Sequence, residues 1–175
     1  MIMVKKWVLS FIFFGLFCLS IITMGCSSNG WVPQRSGSGF IRKEFFDYRR
    51  AAVLPFEGDT KGEVSNVFAR TFHEKFTQIE LVGQGQLLRD FREQDLYSNQ
   101  LNEAVRRKIG EVFGVQAIVA GNVYYPSILR WLLQIQIIDV ETGEVIGRSL
   151  VEINFVGAEK VEEACRIAVQ YLTPN

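Results

Sequence analysis

The first 26 residues decide which part of this chain is free to fold. Lys5 and Lys6 make the start positive, with no acid nearby. Trp7 to Met24 are then apolar or small throughout, and Gly25-Cys26 closes the run ahead of Ser27, Ser28, Asn29 and Gly30. A charged start, an apolar core and a small residue at its end form the pattern of a secretory signal, a segment lost from the mature protein. The fold must therefore be built from the residues beyond Cys26, and one domain is the expectation for 175 residues. The overall hydrophobic content of 48% is inflated by this segment and overstates the core.

The Gly25-Cys26 boundary resembles the lipobox at which bacterial lipoproteins are cleaved. The resemblance implies a signal peptide over residues 1–25, diacylglycerol on the Cys26 sulfur, and an acyl chain such as palmitate on its freed amine. Where the lipobox usually has Leu, third before the cysteine, this chain has Thr23, with Ile22 one place earlier. An uncleaved spanning helix is the alternative, because the apolar run approaches the shortest that crosses a bilayer. The cysteine where that run stops, and the polar residues after it, argue for the lipid. More than one acyl chain would anchor stably where a single chain holds only marginally. Ser27, rather than Asp, follows the cysteine and resembles the sorting pattern of outer-membrane lipoproteins. The expected location is the outer membrane, lipid-anchored, on the periplasmic side.

Charge excludes one class of partner. Without Lys5 and Lys6, two of the 19 basic residues, 17 bases face 19 acids, a net charge of −2. Such a domain has no electrostatic reason to collect on nucleic acid. The short clusters Arg49–Arg50 and Arg106–Arg107–Lys108 read as solvated faces. The three cysteines form no disulfide framework: Cys18 leaves with the signal, Cys26 takes lipid, and Cys165 reads as a small buried hydrophobe.

Residues 26–47 read as a lipidated cysteine and flexible tether. Ser27 to Phe40 hold Gly30, Pro33, Gly37, Gly39 and four serines, a composition that buries little. From Cys26 to Tyr48 the leash is about 20 residues, roughly 25 Å on average as a coil and about 70 Å fully stretched.

Residues 48–173 alternate between two periodicities. Arg50–Phe56 is a short apolar strand ending at Pro55. Val64, Val67, Phe68, Thr71, Phe72 and Phe76 then fall on one helical stripe. Ile79–Val82 is a second strand, and a short helix is expected over Gln86–Glu93. Leu101, Ala104, Val105, Ile109, Val112 and Phe113 make another helical stripe, with Gly114 as its carboxyl cap. Val115–Tyr124 reads as a central strand. Leu129–Val140 and Glu144–Phe155 read as a hairpin closed by Glu141-Thr142-Gly143. A last helix covers Ala158–Leu172, with Pro174 beyond it. The expectation is a single α/β domain, β-α-β-α-β-β-β-α, with a mixed sheet of about five strands.

Few residues offer chemistry. His73 is the one histidine and reads as a solvated or half-buried helix residue, so zinc sites of ordinary composition are excluded. No Gly-x-Ser-x-Gly elbow and no phosphate loop occurs. Gly83-Gln84-Gly85 sits where a dinucleotide turn would, but Leu88 stands in place of the third glycine and would block close helix–strand packing. Glu162–Glu163 are adjacent on a helix and do not face each other. No catalytic residue, cofactor or metal is expected.

Three phrases in order carry a wider resemblance: A-A-V-L-P-F-E (Ala51–Glu57), I-G-E-V-F-G-V-Q-A-I-V-A-G-N-V (Ile109–Val123) and I-I-D-V-E-T-G-E-V (Ile137–Val145). Together they resemble the superfamily of CsgG, FlgO, the lipoprotein activators of penicillin-binding proteins and the amino-terminal domain of TolB. Gln116 stands where the family has Asp, and Gly83 or Gln84 where it has Arg. Gly114, Gly121 and Thr142-Gly143 read as backbone devices rather than reactive groups. The resemblance implies a TolB amino-terminal/CsgG-like fold and a domain that works by binding other envelope proteins, homo-oligomers among them, without catalysis. The favoured expectation is an assembly or secretion accessory of the CsgG/FlgO kind. Activation of a penicillin-binding protein is the alternative, disfavoured because so short a leash reaches poorly from one membrane to the other. No spare pair of long strands is left to build a pore.

Overall fold

Strong β-alternation sets the frame. In the computed structural model, which describes residues 35–82, 85, 101–128, 130–154 and 158–174, Trp131, Leu133, Ile135 and Ile137 are all buried on one face of a strand. The intervening Gln134 and Gln136 point to the other face, as a period of two requires. The strands are β1 (Arg35–Ile41), β2 (Arg50–Val53), β3 (Glu80–Val82), β4 (Ala117–Ser127), β5 (Arg130–Asp139) and β6 (Val145–Asn154). The helices are α1 (Glu63–Lys75), α2 (Glu103–Phe113) and α3 (Ala158–Tyr171), with a 3-10 turn over Lys43–Asp47.

The sheet order is β1-β6-β5-β4-β2-β3. β2 lies parallel to both β3 and β4, while β4, β5, β6 and β1 pair antiparallel in succession. The expected α/β class and mixed sheet are present, with a sixth strand in addition. That strand corrects the reading of residues 26–47 as tether throughout. From Arg35 the chain pairs with β6 along seven residues, and Ile41 and Phe45 are fully buried. The glycines that look like linker composition serve close packing instead. A Cβ at Gly37 or Gly39 would fall within 3 Å of the Tyr171 side chain, so the glycines let β1 lie close under α3.

α1 and α3 cover one face of the sheet, and the larger core between them joins strand aliphatics to the phenylalanines of α1 and the small and aliphatic residues of α3. Phe68, Phe72 and Phe76 stack along α1, with ring centroids 5.7 and 4.7 Å apart, and Phe45 packs edge-on against Phe76 at 5.4 Å. α2 covers only part of the other face, over a smaller cluster of Ala52, Val82, Ile109, Phe113, Val115 and Ile118. The described helices leave the β5–β6 part of that face in solvent, with Gln134, Arg148 and Leu150 exposed. No described helix is long and apolar enough to cross a membrane. The signal segment, Cys26, Gly83-Gln84 and the expected helix over 86–93 lie outside the described residues.

Candidate functional site

The three sequence phrases meet at one end of the sheet, where β2 and β4 begin and β5 ends. Asn102 caps α2 by accepting from the Val105 amide at 2.9 Å, and Gly114 ends the helix in the left-handed region at φ 61°. Two residues on, the Gln116 side-chain oxygen accepts from the Arg49 amide at 2.6 Å. The Gln116 amide donates to the Arg50 carbonyl, and its own carbonyl accepts from Val140. Arg50 closes the circuit. Its guanidinium donates to the Phe113 carbonyl at 2.8 Å, satisfying a helix-end acceptor, and pairs with Glu80 at 3.2 Å.

The β5–β6 turn is held by Asp139. One carboxylate oxygen accepts from the amide and the hydroxyl of Thr142, at 2.6 and 2.8 Å, while the other accepts from the Tyr48 hydroxyl. Gly143 follows at φ 76°, a conformation glycine adopts without cost. Desolvation pushes the Asp139 carboxyl up, but the hydrogen bonds from Thr142, Tyr48 and the Glu141 amide outweigh it and hold it below the ordinary value. The Tyr48 phenol moves strongly upward, through burial first and then its bond to Asp139 and the nearby negative charges.

Arg106 corrects the reading of the 106–108 cluster as a solvated face. Only 7% exposed, it lays its guanidinium against Gly143 and donates to the Val140 and Asp139 carbonyls. Arg107 and Lys108 are exposed, and Arg107 pairs with Glu103 at 2.9 Å. Beside this knot lies an open cleft of about 480 Å³, walled by Tyr48, Gly110, Val115, Gln116 and Asp139, with Arg107, Glu111 and Glu141 at its rim.

Asp139 is a poor base, since its lone pairs are taken by fixed donors and its basicity is lowered. His73 is exposed on α1, and Glu162 points to solvent, where it pairs with Arg70 at 3.0 Å. Cys165 is buried, its thiol pushed up to about 12 by desolvation first, and it sits 3.7 Å from the Val64 carbonyl, the environment of an inert thiol. Among the described residues no three His, Cys, Asp or Glu side chains gather as a metal site requires. Gly121 is a close approach, as expected, because a Cβ there would sit 2.5 Å from the Phe56 ring.

Tyr48 and Asp139 take parts that sequence reasoning does not single out, and Arg106 is buried where its cluster reads as solvated. Asp three residues ahead of Thr142 is the sequence signal of a side-chain-closed turn, and it could have singled out Asp139. Nothing local marks Tyr48 or Arg106.

No protein-family model matches the chain, and no curated protein sequence does. Among solved structures, the PelC dodecamer from Paraburkholderia phytofirmans overlaps it with a TM-score of 0.55 at 10% identity, covering 81% of this chain and 99% of that one. Looser overlaps are with lipoprotein GNA1162 from Neisseria meningitidis, TM-score 0.48 at 15% identity over 61% of this chain and 80% of that one. The LpoB C-terminal domain from Escherichia coli overlaps at TM-score 0.47 and 15% identity, over 61% of this chain and 84% of that one. At 10% identity, the likeness to PelC is one of fold.

Proposed function

We propose that this chain is a non-enzymatic lipoprotein of the cell envelope, anchored through Cys26 to the periplasmic face of the outer membrane. There it serves as an assembly or secretion accessory that binds other envelope proteins. The observation that carries this reading is the position of β1. Its pairing begins at Arg35, the ninth residue after the lipidated cysteine, against a leash of about 20 expected from composition. Fully extended, nine residues reach roughly 30 Å. A domain so tied meets partners at its own membrane and reaches poorly across to another, which weighs against the activator alternative. The knot around Asp139 and Gln116 is a scaffold rather than a reacting centre, in keeping with a binding role.

Self-association belongs to the same reading. It is supported by a fold shared with a protein that assembles as a dodecamer and by a sheet face that the described helices leave open. Native mass spectrometry of the mature chain tests it, with a monomer at micromolar concentration counting against it. Crosslinking in cells, with identification of the captured proteins, tests the accessory role. Recovery of secretion or assembly components supports it, and recovery of a peptidoglycan synthase moves the reading to the activator. Globomycin should make a heavier, unprocessed form accumulate, and an unchanged mass would remove the lipid anchor.

A further inference from the structure

The β4–β5 hairpin ends in an apolar tip that the core does not use. Tyr124, Tyr125 and Ile128 are 61%, 53% and 91% exposed, and Pro126 lies between them. The sequence from Val123 to Leu129 carries no charge. Tyr125 stacks on Trp131 at 6.3 Å, which gives the tip a rigid base. The nearest charge along the chain, Arg130, is paired with Glu152 at 3.0 Å. The acidic loop after β2 is set back, since Glu57 bridges to Asn122, roughly 17 Å of strand before the turn. Isolated exposed apolar residues are ordinary, but a contiguous uncharged cluster marks a contact surface.

The sheet register says what that surface faces. Arg35, where the chain enters the fold, pairs with Ile153, and Ile153 pairs with Trp131, at the foot of the tip. The chain from Cys26 therefore enters the domain at the same end of the sheet as the hairpin tip, and the strand starts at the ninth residue after the lipid. We infer that the β4–β5 hairpin tip, Tyr124 to Ile128, is a second membrane contact that enters the lipid interface beside the Cys26 anchor. The inference rests on the lipid anchor proposed for Cys26. Tyrosine suits that boundary, with its ring among acyl chains and its hydroxyl in the headgroups. An insertion of roughly 5–10 Å, typical of interfacial contacts, would take up the tip and leave Glu57 in water. The two contacts together fix an orientation, with the Asp139 end of the sheet turned away from the bilayer.

The test uses the full mature chain, lipidated in cells and reconstituted into vesicles of three parts phosphatidylethanolamine to one part phosphatidylglycerol. Two variants, Ile128→Cys at the tip and Glu141→Cys at the far end, are labelled with an environment-sensitive fluorophore; Cys165 is buried and is shielded from the label. Lipids brominated along the acyl chain should quench the I128C label several-fold and blue-shift its emission, while the E141C label stays unquenched. Mass spectrometry reports acylation of Cys26 in the same samples. An acylated chain that floats with the vesicles but shows no quenching at I128C overturns the membrane contact and leaves the anchor standing. Equal quenching at both positions overturns the orientation, and the inference with it. A chain without acyl groups that fails to float removes the anchor and the inference together. Loss of I128C solvent exposure without lipid quenching assigns the tip to a second copy of the chain and overturns the inference.

Discussion

At one end of the sheet, where β5 turns into β6, polar side chains are bound into a fixed network. At the other, where β4 turns into β5, apolar side chains stand in solvent with few partners. The first turn is closed by Asp139 with donors from Thr142 and Tyr48, braced by the buried Arg106 and tied through Gln116 to the start of β2. The second carries Tyr124, Tyr125 and Ile128, with a stacking contact from Tyr125 to Trp131. Both are hairpins of the same sheet, so the difference is not one of topology. A turn whose residues are wired into the core contributes to stability, and a turn whose apolar side chains stand clear of the core is free to serve a partner. Substitutions at the two ends should therefore separate stability from association.

The largest effect is expected beside the polar end, where the segment before β2 joins the core. Phe45→Ala removes a fully buried ring in contact with Phe72 and Phe76, and should cost about 3–5 kcal/mol in urea unfolding. A loss below about 1 kcal/mol would mean that residues 35–47 do not belong to the folded unit.

Asp139→Ala comes next, at about 1–2 kcal/mol, because the half-buried Tyr48 hydroxyl loses its acceptor while the exposed Thr142 donors turn to water. The sign of its pH dependence follows from the lowered carboxyl. The stabilisation is complete above the ordinary aspartate value of 3.8 and is lost as pH falls through the lower folded value. The variant should show a flatter acid limb than the parent chain. Tyr48 acts at the opposite limit. Its phenol stays neutral in the fold above the ordinary value of 10, so rising pH charges the unfolded chain first and stability falls from there. Tyr48→Phe should remove that alkaline loss, measured as unfolding free energy between about pH 9 and pH 11.

These effects bear on what the sequence alone can reveal. Elements with strong periodicity were legible: the stripe from Val64 to Phe76, the hairpin of β5 and β6, the Gly114 cap and the Thr142-Gly143 turn all lie where pattern placed them. β1 was not legible, because its glycines and serines are the composition of a linker. What makes R-S-G-S-G-F-I a strand is the partner edge of β6 and the Tyr171 side chain pressed over its glycines, both more than 100 residues away. Arg106 failed for a related reason. A cluster of three cations looks solvated until the turn carbonyls that draw one of them inward are known. The exposed tip fell between the strand expected to end at Tyr124 and the one expected to begin at Leu129, and a short apolar link does not announce whether the core covers it.

Gln116 offers a finer test of the polar end. Gln116→Ala should cost about 1 kcal/mol, the value of a hydrogen bond whose amide partner lies near solvent. Gln116→Asp shortens the side chain and keeps an acceptor, and a carboxylate that still accepts from Arg49 should restore most of the loss. If the aspartate variant is no better than alanine, the shorter side chain does not reach the Arg49 amide in this backbone.

The smallest effect on stability is expected at the apolar tip, and its smallness is the informative part. Ile128→Ser alters a side chain 91% exposed, and should change unfolding free energy by no more than about 0.5 kcal/mol. Tyr124→Ser should behave alike, since more than half of that ring already meets water. Together the two substitutions make the tip polar without touching the stacked pair of Tyr125 and Trp131. A hydrophobic cluster whose removal costs the fold nothing has no folding reason to be there, and its chemistry must answer to something outside the domain. If the double variant instead unfolds well below the parent's denaturant midpoint, the tip is part of the core after all. The contrast between a braced end and a free end would then be lost.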